Sequence, residues 1–423
     1  MGVDPLQQRR AILLSRPRRG AKCRLRINTS QAQKNAEALE MVAKRSGWEL
    51  VNKSGHILWV VRKEDVAESL LQLQPGQWLS HIPGMHEACS KASLANAFKA
   101  TASFWPRTWV IQGPERPDLA DMLSSGFVIV KPNRGLQGKG IHLACSSDEL
   151  QRALSDDVVV QQYISRPLLL DARKWDLRLY ALVLPHEDGL RCWLAREGIA
   201  RVCADIYEEL SHTNAKRDTM HLTNYSLNKR SEKFVCNEDP GSGHRGGKRA
   251  LSAVLLRLQK EKLRGAQIAS AASVWEELGN LVQHTAGAMR DELQKLALDP
   301  STWDGREEVV QAVHTKFSQS FHILGIDVLL DSSGKPWLLE VNCNPSFSLE
   351  EIHPSAGLAK ASDVPRALGQ PCGCPAHPQV HTHQLSPVDM AVKLPVLEGA
   401  VTIVSQLTST DPTAGTIYTA LSR

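Results

Sequence analysis

The stretch Gly325-Ile326-Asp327-Val328-Leu329-Leu330-Asp331-Ser332-Ser333-Gly334-Lys335-Pro336-Trp337-Leu338-Leu339-Glu340-Val341-Asn342 reads as two short strands joined by a polar turn. The strands are expected over Ile323–Leu330 and Pro336–Val341, and the Asp, Ser and Gly between them suit a tight reversal. A hairpin symmetric about Ser333-Gly334 sets Asp327 opposite Glu340. Strand side chains alternate, so Asn342 shares the face of Glu340. Two carboxylates and an amide oxygen then converge among apolar Ile326, Val328, Leu338 and Leu339. Like charges buried opposite each other are destabilising unless something neutralises them. A hard, oxygen-seeking cation does so, and Mg²⁺ shared with phosphates suits one or two carboxylates plus water. The alternative is an edge hairpin whose acids face solvent.

Two segments upstream bear on that choice. In Lys174-Trp175-Asp176-Leu177-Arg178-Leu179-Tyr180, alternation puts Lys174, Asp176 and Arg178 on one face and Trp175, Leu177 and Leu179 on the other. A cation–anion–cation face is either a structural ion-pair ladder or a grip on polar nucleotide and substrate groups. Further upstream, the strand Phe127–Val130 runs into Lys131-Pro132-Asn133-Arg134-Gly135-Leu136-Gln137-Gly138-Lys139-Gly140-Ile141. Glycines admit backbone amides close to phosphates, and Lys131, Arg134 and Lys139 add charge. The spacing is not that of a P-loop. Alone, such a turn is as well read as a hairpin; its weight comes from the buried strand Val158–Ile164 and the acidic hairpin that follow it.

The remaining chain fixes the frame. At 423 residues, two to three domains are expected, with 42% hydrophobic residues giving ample core. No run reaches the ~18 apolar residues of a membrane helix. Helical spacing is read over Gln31–Arg45 and from Ala250 to about Lys295, and a strand over Ile57–Val61 and Leu177–Leu184, the latter closed by Pro185. Residues 237–249 read as a mobile loop and Glu351–Ser386 as loop, followed by a last helix over Pro387–Thr410 that Pro395 interrupts. There is no internal repeat, and the order of elements gives an α+β class with several short sheets. The net charge of +5 is uneven: residues 1–30 hold eight basic residues (Arg9 to Arg26) against Asp4, which leaves the rest slightly acidic. That start reads as a transit peptide, a solvated tail, or an arm for an acidic partner. Basic stripes interleaved with aromatics are missing beyond it, which argues against nucleic acid. The nine cysteines are scattered and read as reduced thiols. Cys372-Gly-Cys374-Pro-Ala-His377, with His381 and His383, is either a loop or a metal cluster of unusual spacing.

Taken in order, Lys131-Pro…Gln137-Gly-Lys-Gly-Ile141, Gln161-x-Tyr-Ile-x-x-Pro167, Lys174-x-Asp-Leu-Arg178, Glu197-Gly-x-Ala-Arg201, His221-Leu-Thr-Asn-Tyr-Ser-x-Asn-Lys229, Gly325-x-Asp-Val-Leu-x-Asp331 and Leu338-Leu-Glu-Val-Asn342-x-x-Pro-Ser346 resemble the tubulin–tyrosine ligase-like family. Pro83-Gly84-Met85 and Trp105-Pro-Arg-Thr-Trp109 are similar to its N-terminal half. The resemblance covers roughly residues 24–350 and, weakly, 386–408; the Gln-Gly-Lys-Gly-Ile and His-Leu-Thr-Asn-Tyr-Ser forms are most similar to its polyglutamylase branch.

The resemblance implies an ATP-grasp-type ligase fold with a small N-terminal domain and the nucleotide held between two sheets. The expected organisation is a basic arm (1–22), an N-terminal domain (23–80), a central lobe (81–167), a C-terminal lobe (168–350), an insert (351–385) and a C-terminal helix and tail (386–423). It implies ATP contacts from Gln137, Gly138, Lys139 and Ile141, phosphate contacts from Lys131 and Lys174, and adenine contacts from Gln161 and the Gln162-Tyr163-Ile164 backbone. Asp176 is expected on the ribose side, with Thr223 and Asn224 completing the nucleotide site. Asp327, Glu340 and Asn342 would hold Mg²⁺. Arg201 and Ser226, with Lys248, would meet the free amino acid, and Arg178, like Arg201, would serve catalysis. The implied reaction is ATP-dependent addition of free L-glutamate to glutamate side chains on the acidic tails of tubulin. The implied setting is a monomer in the cytoplasm on the cytoskeleton, extending to cilium, axoneme or basal body, without membrane or nucleic acid.

Three departures from the family pattern stand out. Trp175 replaces the usual Phe or Tyr, Cys343 replaces a common His, and Ala250 stands where related chains often carry Lys. Rival readings are a glycine or tyrosine ligase of the same fold, a ligase of a non-tubulin protein, and a non-catalytic microtubule-associated pseudoenzyme.

Overall fold

The computed structural model describes residues 24–98, 102–113, 117–124, 126–135, 138–186, 189–261, 270–354, 381–407 and 418–420. Four strands open the chain: β1 (Arg26–Gln31), β2 (Glu49–Val51), β3 (Ile57–Val60) and β4 (Trp78–Leu79). They form a sheet of order β2-β1-β3-β4 in which every pairing is parallel. Sequence periodicity alone does not disclose β1, because Arg26-Ile-Asn-Thr-Ser-Gln31 buries only Ile27. The first α-helix accordingly begins at Ala36 and ends at Ser46, where Gly47 adopts the left-handed conformation of a C-cap.

The second sheet, order β5-β8-β6-β7, comprises β5 (Thr108–Gln112), β6 (Val128–Pro132), β7 (His142–Ala144) and β8 (Asp157–Gln162). All its pairings are antiparallel. Val128, Val130, Val158 and Val160 point into a private core with Ile111, Met122 and Leu150. Alternation therefore turns Ile129, Lys131 and Gln161 to the opposite face. The helices Met85–Ala88 and Lys91–Phe98 contribute instead to the largest core, beside the long helix Ala271–Leu298.

The third sheet is built on β10 (Arg173–His186), which pairs with β9 (Leu169–Leu170), β11 (Gly189–Val202) and β13 (His322–Leu330). Beyond these lie β12 (Lys248–Ala250) and β14 (Pro336–Asn342). Trp175, Leu177, Leu179, Ala181 and Val183 face the largest core, as alternation predicts. The other face changes character along its length: Lys174, Asp176 and Arg178 are polar, whereas Tyr180, Leu182 and Leu184 enter a second core. Pro185 does not close the strand. It pairs with Leu190 near the hairpin tip, past the last β13 partner, Val183, where a missing amide donor is tolerated.

Three further expectations are corrected. Residues 237–249 do not form loop throughout, since Lys248 and Arg249 enter β12 against Arg201 and Ala200. The edges of the 351–386 segment are not loop: β15 (Glu350–Pro354) pairs with β16 (His381–Leu385). The Cys372–His377 motif lies outside the described residues. Pro395 does not break the last helix, which runs from Pro387 to Gln406. Its ring removes one bond to the carbonyl of Ala391, which is exposed and free to meet water. That helix is apolar on nearly every side because it fills the space between the first helix and the third sheet, within a core shared by Ile27, Leu39, Leu182 and Val401. A final short strand, β17 (Tyr418–Ala420), pairs with β11.

Candidate functional site

The decisive hairpin folds with Asp327 opposite Glu340 and Gly325 opposite Asn342. It is not fully symmetric. Val328 pairs with Leu338, so Leu339 is an extra residue in β14 and the turn centres on Ser333. Asp331 braces that turn by accepting from the amides of Ser333 at 2.9 Å and Lys335 at 3.1 Å and from the Trp337 indole at 2.9 Å. Ile326, Val328 and Leu338 join the core as expected. The bulge sends Leu339 elsewhere, into the cleft beside Glu340.

Between the second and third sheets lies an open cleft lined by residues of both. Lys131, Ile141, Gln161 to Ile164, Lys174, Asp176, Arg201, Thr223, Asn224, Asp327 and Glu340 all border it. Lys131 Nζ donates to Gln161 Oε1 at 2.7 Å and to the Leu339 carbonyl at 3.4 Å. Lys174 Nζ donates to the Tyr163 hydroxyl at 3.0 Å and lies 4.1 Å from that ring's centroid. Burial lowers both amines to about 8, with attraction to Glu340 partly offsetting the effect for Lys131 and attraction to Cys203 for Lys174.

Opposite Lys131, and next to Lys174 on β10, stands an ion-pair ladder across three strands. Asp176 faces Arg201 in the β10–β11 register, and Arg178 faces Asp327 in the β10–β13 register. Arg201 Nε reaches Asp176 Oδ1 at 2.7 Å, and its second nitrogen lies 2.8 Å from Asp327 Oδ2. Thr223 Oγ1 donates to Asp176 at 2.6 Å. Arg178 grips both Asp327 oxygens, the second at 2.9 Å. Burial would raise the Asp327 carboxyl, but Arg178 and Arg201 overcome it and hold the group well below the usual carboxylate range. Of the two readings open for the Lys174–Arg178 face, the ladder is present; Lys174, Asp176, Arg201 and Asp327 border the cleft, whereas Arg178 is not among its lining residues.

Gly325 lets Arg178 lie flat over β13. A Cβ there would stand 2.8 Å from Pro345 Cβ and 3.2 Å from Arg178 Cδ. Asn342 completes the acidic corner, its amide 3.2 Å from Glu340 Oε1 and 3.4 Å from Asp327 Oδ2. Asn342 turns its amide nitrogen to the two carboxylates, and Glu340 together with Asp327 Oδ1 keeps acceptor positions of the kind Mg²⁺ uses.

The remaining expected residues lie elsewhere or fall short of a contact. Gly138 adopts positive φ against Asn224 and Leu227, Lys139 is exposed, and Gln137 lies outside the described residues. Ser226 sits in the helical turn Tyr225–Asn228, outside the cleft lining. Lys248 is buried against Asp389, with Glu351 at 3.5 Å and the Tyr225 ring 4.2 Å away. Sequence reasoning assigned no role to His221 or to the apolar lining Ile129, Leu222, Leu329 and Leu339. Ile129 and Leu329 were accessible to it, since each lies two residues from a polar site residue on one strand. His221 holds the Tyr163 hydroxyl at 3.0 Å, and burial, followed by Lys174, lowers its imidazole to about 4.

Two sheets face each other across the cleft, one bringing Lys131 and the other Lys174, Asp176, Arg201, Asp327 and Glu340. The tubulin-tyrosine ligase family model matches residues 69–355, and the chain belongs to that family. It is 34% identical over 295 residues to a probable beta-tubulin polyglutamylase of Tetrahymena thermophila, covering 67% of this chain and 23% of that protein. It is 32% identical to human tubulin polyglutamylase TTLL13, covering 79% of this chain and 39% of the relative. Against human TTLL11 the identity is 32%, with 77% and 46% covered. The chain thus spans between 23% and 46% of the length of these relatives.

Proposed function

We propose that this protein is an ATP-grasp ligase that adds free L-glutamate to glutamate side chains of tubulin. The observation that carries the nucleotide reading is that Lys131 and Lys174 are buried at the cleft with no carboxylate partner among the described residues. Buried cations without a close ion pair, attracted to Glu340 and Asp176 only at longer range, are expensive until a ligand supplies an anion. ATP phosphates fit between them, with the adenine against Gln161 and the Gln162–Ile164 backbone, and the ribose toward Asp176, Thr223 and Asn224.

Mg²⁺ held by Asp327, Glu340 and Asn342 would neutralise phosphate charge during transfer. A carboxylate is a poor electrophile, so the acceptor glutamate is first converted to an acyl phosphate. Arg178 and Arg201 place fixed positive charge beside that carbon. When the amine of glutamate attacks, they stabilise the oxyanion, and loss of phosphate leaves an isopeptide bond. Asp176 and Asp327 orient the two guanidinium groups, which restricts their approach to one direction. Ser226 and Lys248, the latter opposite Arg201 in the β11–β12 register, would meet the free amino acid together with Arg201. The names of the polyglutamylase relatives support glutamate and tubulin, and the basic stretch 9–26 is a concentrated candidate for holding acidic tails.

The test is incubation with ATP, Mg²⁺, microtubules and labelled glutamate or glycine in parallel. ATP-dependent label from glutamate supports the proposal. Label from glycine alone overturns the donor, and no label from either, with the protein still co-sedimenting with microtubules, favours the pseudoenzyme.

A further inference from the structure

Outside the cleft, His81, His322 and Cys343 form a buried group of metal-ligand type. His322 has no lone pair to offer: Nδ1 accepts from the Ile82 amide at 3.2 Å, and Nε2 donates to the Cys343 carbonyl. A second group is differently placed. Cys145 follows β7, Glu149 lies in the first turn of the helix Ser147–Ala153, and His212 comes from the loop before the helical turn Asp218–His221. Cys145 Sγ lies 3.0 Å from Glu149 Oε2 and 2.8 Å from His212 Nδ1. His212 Nδ1 is 3.6 Å from Glu149 Oε1, and His212 Nε2 is 3.6 Å from the sulfur.

From these distances we infer that Cys145, Glu149 and His212 form a zinc site with its fourth position open to water. Tetrahedral zinc with sulfur, nitrogen and oxygen ligands separates its donor atoms by about 3.3–3.6 Å. The observed separations of 2.8 to 3.6 Å reach that range by small rotations of the imidazole, whose side chain is 65% exposed, and of the Glu149 carboxylate, which is 29% exposed. One thiolate, one imidazole and one carboxylate suit zinc better than Mg²⁺ or Ca²⁺. The backbone already builds half of the site. Ser146 Oγ caps the helix by accepting from the Glu149 amide, and Glu149 Oε2 accepts from the Cys145 amide at 3.0 Å. Glu149 Oε1 is left directed at His212. Binding converts the Cys145 thiol to a thiolate and releases its proton.

The ligands join distant parts of the chain. Cys145 and Glu149 sit on the sheet whose β6 carries Lys131, while the His212 loop leads to His221 on the facing wall. Zinc would therefore latch one wall of the cleft to the other. The site is defined by its own side chains and does not rest on the nucleotide reading.

The full-length protein, stripped of metal, is titrated with Co²⁺ and then with Zn²⁺. The expected result is a thiolate-to-cobalt charge-transfer band that saturates at one equivalent and is displaced by zinc. Cys145→Ser removes the band, and His212→Ala, at an exposed position that folding does not need, weakens zinc about 100-fold. Zinc also slows tryptic cleavage at the exposed Lys216 and Arg217 in the wild type but not in His212→Ala. A band unchanged in both variants but lost in Cys372→Ser/Cys374→Ser would overturn the site. So would failure of the wild type to bind one equivalent at all.

Discussion

Lys131 and Lys174 carry a pH signature with two opposite signs. Their folded pKa values, about 8, lie below the ordinary lysine value of 10.5, so the unfolded chain binds more protons between those limits. Stability of the unliganded protein therefore rises as pH climbs from about 8 toward 10.5. Nucleotide affinity falls over the same interval, because phosphates require the charged amines. Calorimetry of ATP binding in buffers of different ionisation enthalpy, near pH 8.5, is expected to register net proton uptake. Glu340→Gln removes one cation ligand without opening a cavity. It is expected to reduce glutamate incorporation roughly 100- to 1,000-fold with an unchanged melting temperature. An active variant would refute the cation assignment.

At the scale of elements, Gly325→Ala tests the seating of Arg178. The added Cβ meets Pro345 and Arg178 together, so a loss of about 1–3 kcal/mol is expected in denaturant unfolding, with a larger proportional loss of turnover. The last helix supplies a second test. Lys248 and Lys393, at 2.7 Å, share the buried carboxylate of Asp389. Burial raises that carboxyl, but Lys393 and Lys248 outweigh it and lower it to about 2. Its contribution is complete above the ordinary value of 3.8 and is lost as pH falls toward 2. Asp389→Ala leaves Lys248 with Glu351 alone and Lys393 with no carboxylate, and is expected to cost about 3–5 kcal/mol at neutral pH, read by urea unfolding. These elements also mark how far the sequence could be read. Alternation placed Asp176, Arg178, Asp327, Glu340 and Asn342 correctly, because strand side chains have a fixed period. The bulge at Leu339 was hidden, since one extra residue left the Asp327–Glu340 pairing intact. β1 was hidden because a strand burying only Ile27 has no apolar rhythm. The commitment of Lys248 to Asp389 was hidden because the partners stand 141 residues apart.

Over the whole molecule, the cleft walls come from separate sheets with separate cores, and ligand binding is their natural bridge. A nucleotide at a hundred times its dissociation constant should add about 2.7 kcal/mol of apparent stability. The expected thermal shift requires Mg²⁺ and should vanish in a Lys131→Ala/Lys174→Ala double variant. The helix Pro387–Gln406 carries a different consequence. It completes the core begun by Ile27, Leu39 and Ile57, so the first sheet described here is covered only once a helix beginning at Pro387 has been made. Nascent chains must keep an apolar surface exposed throughout synthesis of the two sheets that line the cleft, inviting chaperone capture. A premature stop before Ser386 would then strand the N-terminal sheet first, although every residue of the cleft had been translated.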